Sequence, residues 1–156
     1  MKKGLVLVLA VFALSLSLAA GCSRRPQGLP DLYPVTITVQ CDGRPVPGVS
    51  ILAIPTEEKV NFVFAANTDD SGVAKIGASH AGKFYAGLPL GKMNLNIDKG
   101  ITLGSGDEAH IVPMIAEASP TTLEVTKSGA ELTIEIVAVD DFQDHIYEAL
   151  PQIEDE

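Results

Sequence analysis

Residues 35–55 read VTITVQCDGRPVPGVSILAIP, and the fold class is decided in that stretch. Val35, Ile37, Val39 and Cys41 alternate with Thr36, Thr38 and Gln40, the period-two pattern of a strand with one buried and one polar face. Asp42-Gly43 follows as a hairpin turn, because a type I′ turn needs positive φ at both central residues and this dipeptide supplies it at low cost. Val49, Ile51 and Ala53 resume the alternation in a second strand. Pro55 ends it, having no N–H to give to a ladder.

The same pattern continues downstream. Asn61 to Ala66 reads as a third strand, Thr68-Asp69-Asp70-Ser71-Gly72 as a tight turn, and Val73 to Lys75 as a fourth strand. Leu88-Pro89-Leu90-Gly91 turns the chain into Lys92 to Asp98, where Met93, Leu95 and Ile97 alternate with Asn94 and Asn96. Thr121 to Thr126 and Glu131 to Ala138 are joined by the turn Lys127-Ser128-Gly129-Ala130. Gly43, Gly48, Gly72 and Gly91 stand where chain reversals call for positive φ. Seven short strands with turns between them, and no helical periodicity, predict an antiparallel β-sandwich over residues 33–139. The stretch from Lys99 to Met114, which contains GSGDEAH, reads as an extended loop.

Upstream the composition changes. Lys2 and Lys3 precede an apolar run from Leu5 to Ala20, interrupted only by Ser15 and Ser17, and the run ends in Ala19, Ala20 and Gly21. A charged start, a short apolar helix and a small-residue exit are the pattern of a cleaved secretory signal over residues 1–21. A membrane span needs about 20 apolar residues and a basic stop-transfer cluster, for which Arg24 and Arg25 are a weak substitute. Cys22 follows at once, in the run LSLAAGCS, residues 16–23. That run resembles a bacterial lipobox, although Ala19 stands where such boxes usually prefer Leu. The resemblance implies a diacylglyceryl group on the Cys22 thiol and cleavage just before it. Each buried methylene of an acyl chain adds about 0.8 kcal/mol, so several chains hold a small domain on a membrane. Ser23 replaces the Asp that marks inner-membrane retention, so the resemblance favours an extracytoplasmic, outer-membrane address.

Charge and cysteine content narrow the classes further. The 156 residues hold 11 Lys and Arg against 20 Asp and Glu. Removal of Lys2 and Lys3 leaves nine basic residues against twenty acidic ones, a net of −11. Such a surface repels phosphate backbones, which argues against nucleic-acid partners. Residues 140–156 contain seven acids and no Lys or Arg, and read as a solvated acidic tail that could form one or two amphipathic turns around Phe142, Ile146 and Leu150. Residues 22–32, aperiodic and containing Pro and Gly, read as a tether. Cys22 and Cys41 are the only cysteines, so no disulfide framework is present; with lipid on Cys22, Cys41 is expected to be buried as a small apolar residue or, as the alternative, to pair between chains.

Four stretches carry a family likeness. DLYPVTITVQCDGRPVPGVSILAIP (31–55), NTDDSGVAKI (67–76), GLPLGKMNLNI (87–97) and SPTTLEVTKSGAELTIEI (119–136) resemble the carboxypeptidase regulatory-like domain of bacterial envelope lipoproteins. The resemblance implies an all-β chain with an immunoglobulin-like, transthyretin-like sandwich, closed by a hairpin over 119–136. Met93 departs from the pattern, which usually has an aromatic there. These motifs are turn chemistry and imply little about activity. Transthyretin-like folds include a hydrolase of a purine breakdown product, whose C-terminal Tyr-Arg-Gly-Ser is missing here.

No residue pattern points to catalysis, a metal or another cofactor. Asn67, Asp69 and Asp70 superficially suggest a calcium loop, but calcium takes roughly six to eight oxygens and the spaced acids of an EF-hand are missing; an Asx turn accounts for the same residues. His80, His110 and His145 lack the close spacing of zinc ligands. Ser105 lies in Gly-Ser-Gly, not in a nucleophile elbow. Two function classes remain. The first is a non-catalytic, lipid-anchored envelope module that is structural or binds an envelope protein. The second is a small-ligand, glycan or metal-binding lipoprotein using the loops at 67–72 and 99–112, with Asp69, Asp70, Phe84 and Tyr85 as its candidate residues. The chain has no Trp, and Phe84-Tyr85 is its only adjacent aromatic pair, of which alternation exposes one.

Overall fold

A computed structural model describes residues 25–57, 60–103 and 110–148; the expected signal segment over 1–21, Cys22, residues 58–59 and 104–109, and residues 149–156 lie outside the described residues. The strands run in chain order as β1 (Val35–Cys41), β2 (Arg44–Pro45), β3 (Ser50–Pro55), β4 (Phe64–Asn67), β5 (Val73–Lys75), β6 (Gly77–His80) and β7 (Lys83–Ala86). They continue as β8 (Gly91–Asp98), β9 (Gly100–Leu103), β10 (His110–Pro113), β11 (Ile115–Ser119), β12 (Thr122–Val125) and β13 (Ala130–Ala138). One sheet has the order β11-β13-β1-β2, with β5 also paired to β1; the other has the order β12-β8-β3-β4-β6-β7. Their apolar faces meet in one core, so the protein is an all-β sandwich.

The alternation in residues 35–55 does what period two requires. Val35, Ile37, Val39 and Cys41 point inward from β1, and Ile51 and Ala53 from β3. Between the two strands the chain changes sheets. Asp42 and Gly43 take φ of 51° and 71°, both positive as a type I′ turn demands, and β2 pairs only two residues back onto β1. Val46 and Val49 are then fully buried at the crossing. Thr68 staples the crossing, with Oγ1 accepting from the Val49 N–H at 2.9 Å and donating to the Val46 carbonyl at 2.7 Å. A buried hydroxyl satisfied on both sides removes the penalty that exposed backbone groups would carry there.

Three expectations need correction. The run 119–136 is not a closing hairpin: β12 ends one sheet by pairing β8, while β13 lies in the other sheet beside β1. The tight turn at Thr126–Gly129 carries the chain across the end of the sandwich, and β13 consequently enters parallel to β1, with Val35 opposite Ala130 and Gln40 opposite Glu135. The stretch 99–114 is not an irregular loop either. β9 and β10 form a separate two-stranded arm, Gly100 opposite Pro113 and Leu103 opposite His110, closed at its base by the Met114 N–H on the Lys99 carbonyl at 2.8 Å.

The third correction concerns both ends of the domain. Leu29 is buried, and Tyr33 exchanges backbone hydrogen bonds with Leu88 at 2.8 and 3.0 Å, so residues 25–33 pack on the sandwich instead of forming a spacer. Asp140–Phe142 forms a 3-10 turn, and the chain coils on to Glu148 with Ile146 fully buried. The segment expected to be a solvated tail, with at most a turn or two around Phe142 and Ile146, forms those turns and is docked as far as Glu148. Phe142 and Ile146, four residues apart, supply the apolar contact that outweighs the acids around them.

Candidate functional site

The loop at 67–72 is built from Asp69. Its Oδ1 accepts the Ser71 N–H at 2.9 Å, the Ser71 hydroxyl at 2.6 Å and the Val73 N–H at 3.0 Å. Its backbone closes the same loop, receiving the Gly72 N–H and donating to the Val73 carbonyl. The Ser71 hydroxyl first, and the Val73 N–H next, hold the Asp69 carboxyl below the ordinary carboxylate range. Asp70 is exposed beside it. A cation placed here would compete with three hydrogen bonds for the same oxygen. Among the described residues no group of three His, Cys, Asp or Glu side chains is placed to hold a metal ion.

Phe84 and Tyr85 lie on β7, at the free edge of the six-stranded sheet. Phe84 is 48% exposed and lies across Gly77, whose missing side chain gives its ring room. Tyr85, on the opposite face, packs against the core margin and has the Lys83 ammonium 5.3 Å from its ring centroid. Tyr85 also lines a groove of about 490 Å³ with Tyr33, Leu32, Asp31 and Arg25. The structure therefore separates the candidates. Asp69 and Asp70 sit at a turn beyond the end of β4, and the aromatic pair sits on β7, two strands away across the sheet. Of the three histidines, His80 stacks edge-on against Phe62, His145 meets Glu148 at 3.1 Å, and His110 starts β10.

The most heavily built polar feature was not among the expected residues. Lys99 is 2% exposed, and its ammonium donates to the carbonyls of Pro47 at 2.8 Å, Ile146 at 2.5 Å and Glu148 at 2.7 Å. Three donors meet three acceptors, two of them carbonyls of the C-terminal turns. Burial pushes the Lys99 pKa down, and the Glu148 carboxylate opposes that shift. Next to it, the Tyr147 hydroxyl donates to the Cys41 carbonyl at 3.1 Å while the Arg44 guanidinium covers the ring at 3.8 Å. Cys41 itself is buried and free. These contacts latch residues 140–148 over one end of the core. They are structural chemistry, since the ammonium has no open face toward solvent.

No family profile matches the chain, and neither a curated protein nor a solved structure does.

Proposed function

We propose that this protein is a non-catalytic, lipid-anchored module of the bacterial cell envelope, structural or protein-binding, related to carboxypeptidase regulatory-like lipoproteins. The run LSLAAGCS, residues 16–23, carries this reading: it puts a single cysteine directly behind an apolar signal and directly before a folded domain. The use of polar groups in the domain supports it. Asp69, Thr68 and Lys99 are occupied by backbone partners, and among the described residues no buried side-chain polar atom lacks a hydrogen bond.

The test is fractionation of the full chain and of Cys22→Ser. Wild type is expected in alkaline-washed membranes, to be released by detergent and to carry the mass of a diacylglyceryl group; Cys22→Ser is expected in the soluble fraction. Persistence of Cys22→Ser in washed membranes would instead indicate an uncleaved span.

One observation favours the second reading, a ligand-binding lipoprotein: the groove beside Tyr85 joins two aromatic rings to a charged pair. A glycan held there at a hundred times its dissociation constant should stabilise the domain by about 2.7 kcal/mol. A thermal-shift screen against glycans and cell-wall fragments, with Tyr85→Ala as control, decides between the two. An unmoved melt favours the structural or protein-binding role.

A further inference from the structure

The residues between the anchor and the domain are fewer than the sequence suggests. Arg25 stands three residues after Cys22 and is already held, Nη1 meeting Asp31 Oδ1 at 2.6 Å and Nη2 meeting the Pro30 carbonyl. Leu29 then enters the core and Tyr33 bridges to Leu88. Three residues of chain reach at most about 11 Å. A lipid on Cys22 would keep this part of the sandwich within that distance of the headgroups.

The topology says which end this is. β1 and β13 start here in register, Val35 beside Ala130, and β8 starts here beside the end of β12, Gly91 opposite Val125. All three strands finish at the far end, at Cys41, Ala138 and Asp98. The seven residues of β1 separate the two ends by roughly 20 Å. Charge divides along the same axis. The near end carries Arg25, Lys92 and Lys127 beside Asp31, Glu124 and Glu131, close to neutral. The far end gathers the turn acids Asp42, Asp69 and Asp70, then Asp98, and the acids of the docked 140–148 segment, against Arg44 and the buried Lys99 beside them. Leu90, 41% exposed, rims a hollow at the near end with Pro30, Tyr33 and Pro89. Half-buried Tyr and exposed Leu suit a lipid headgroup boundary, whereas anionic headgroups repel clustered carboxylates.

We propose that the Tyr33–Leu90 end of the sandwich rests on the lipid surface that carries the anchor, and that the acidic end, with the β9–β10 arm, faces away. This rests on the lipid-anchor reading of Cys22.

The chain has no Trp, so single Trp reporters are clean. Full-length Leu90→Trp and Ile111→Trp, the second at a position 72% exposed on β10, would be processed in cells, purified in detergent and reconstituted into anionic vesicles with brominated acyl chains. Trp at position 90 is expected to show blue-shifted emission that the brominated lipid quenches, and Trp at 111 to show neither. Mass analysis of the same samples separates the two ways to fail. If Cys22 is acylated and position 90 is unquenched, or 111 is quenched, the orientation is wrong and the anchor stands. If Cys22 carries no acyl group, the anchor reading fails and takes the orientation with it.

Discussion

Two residues in one turn show how much of this fold depends on single positions. Gly72 has φ of 72°, and a Cβ there would lie 2.7 Å from the Val39 carbonyl oxygen and 2.8 Å from Pro45 Cβ. Gly72→Ala therefore meets both backbone strain and a backbone clash, and is expected to cost about 1–3 kcal/mol in a urea melt. Full stability in that variant would mean that the turn has another accessible geometry. Asp69 stabilises the same turn through its charge. Its folded pKa is lowered, so its contribution is complete above the unfolded value of about 3.9 and is lost as pH falls through the lower folded value. Melting temperatures taken from pH 5 to pH 2 should fall more steeply for wild type than for Asp69→Asn, whose amide does not titrate. Parallel curves would show that the carboxylate charge contributes nothing there.

At the scale of elements, strands that alternate were legible and strands that do not were missed. β1, β3, β8 and β13 read directly, because inward residues alternate with more exposed ones along each, even where Ile54 and Val137 put an apolar residue on the outer face. β6 and β7 were hidden in a Gly- and Ala-rich stretch. Gly77 is small for a packing reason that no pattern reveals, since a Cβ would lie 2.3 Å from the Tyr85 carbonyl oxygen and 2.7 Å from the Phe84 ring. β11 is short and broken by an irregularity between Ile115 and Glu117. Lys99 is the instructive miss. The inward parity of Met93, Leu95 and Ile97 continues to position 99, which placed a lysine on the buried face, where only a full set of acceptors can hold it. Its three acceptors come from segments 47 to 52 residues away, and alternation carries no record of them. Lys99→Met should strand those carbonyls at about 1–3 kcal/mol. Because two of them belong to residues 140–148, that segment should open first. Hydrogen exchange would then speed up at the Ile146 and Glu148 amides, and Cys41 would react faster with a thiol reagent, while β1 stayed protected. Unchanged exchange at Ile146 would show that its side chain alone holds the segment.

Across the whole molecule, the two sheets share one core, and this decides how it should come apart. Phe64 is fully buried on β4, and Ile37 on β1 and Ile134 on β13 are buried in the same cluster from the opposite sheet. Neither sheet covers its apolar face without the other, so loss of contacts at the centre should lower the stability of both together. Phe64→Ala is expected to cost about 3–5 kcal/mol, through lost apolar transfer and the cavity left behind. Phe84 offers the matching control: it is the same residue type on the same sheet, half in solvent, and Phe84→Ala should stay within about 0.5 kcal/mol. The comparison is best made by urea unfolding followed with two probes, Tyr fluorescence and far-ultraviolet dichroism. Coincident transitions that move together in Phe64→Ala indicate one cooperative unit reaching from the Tyr33–Leu90 end to the acidic end. A variant in which one probe moves and the other stays would mean that the sheets unfold separately.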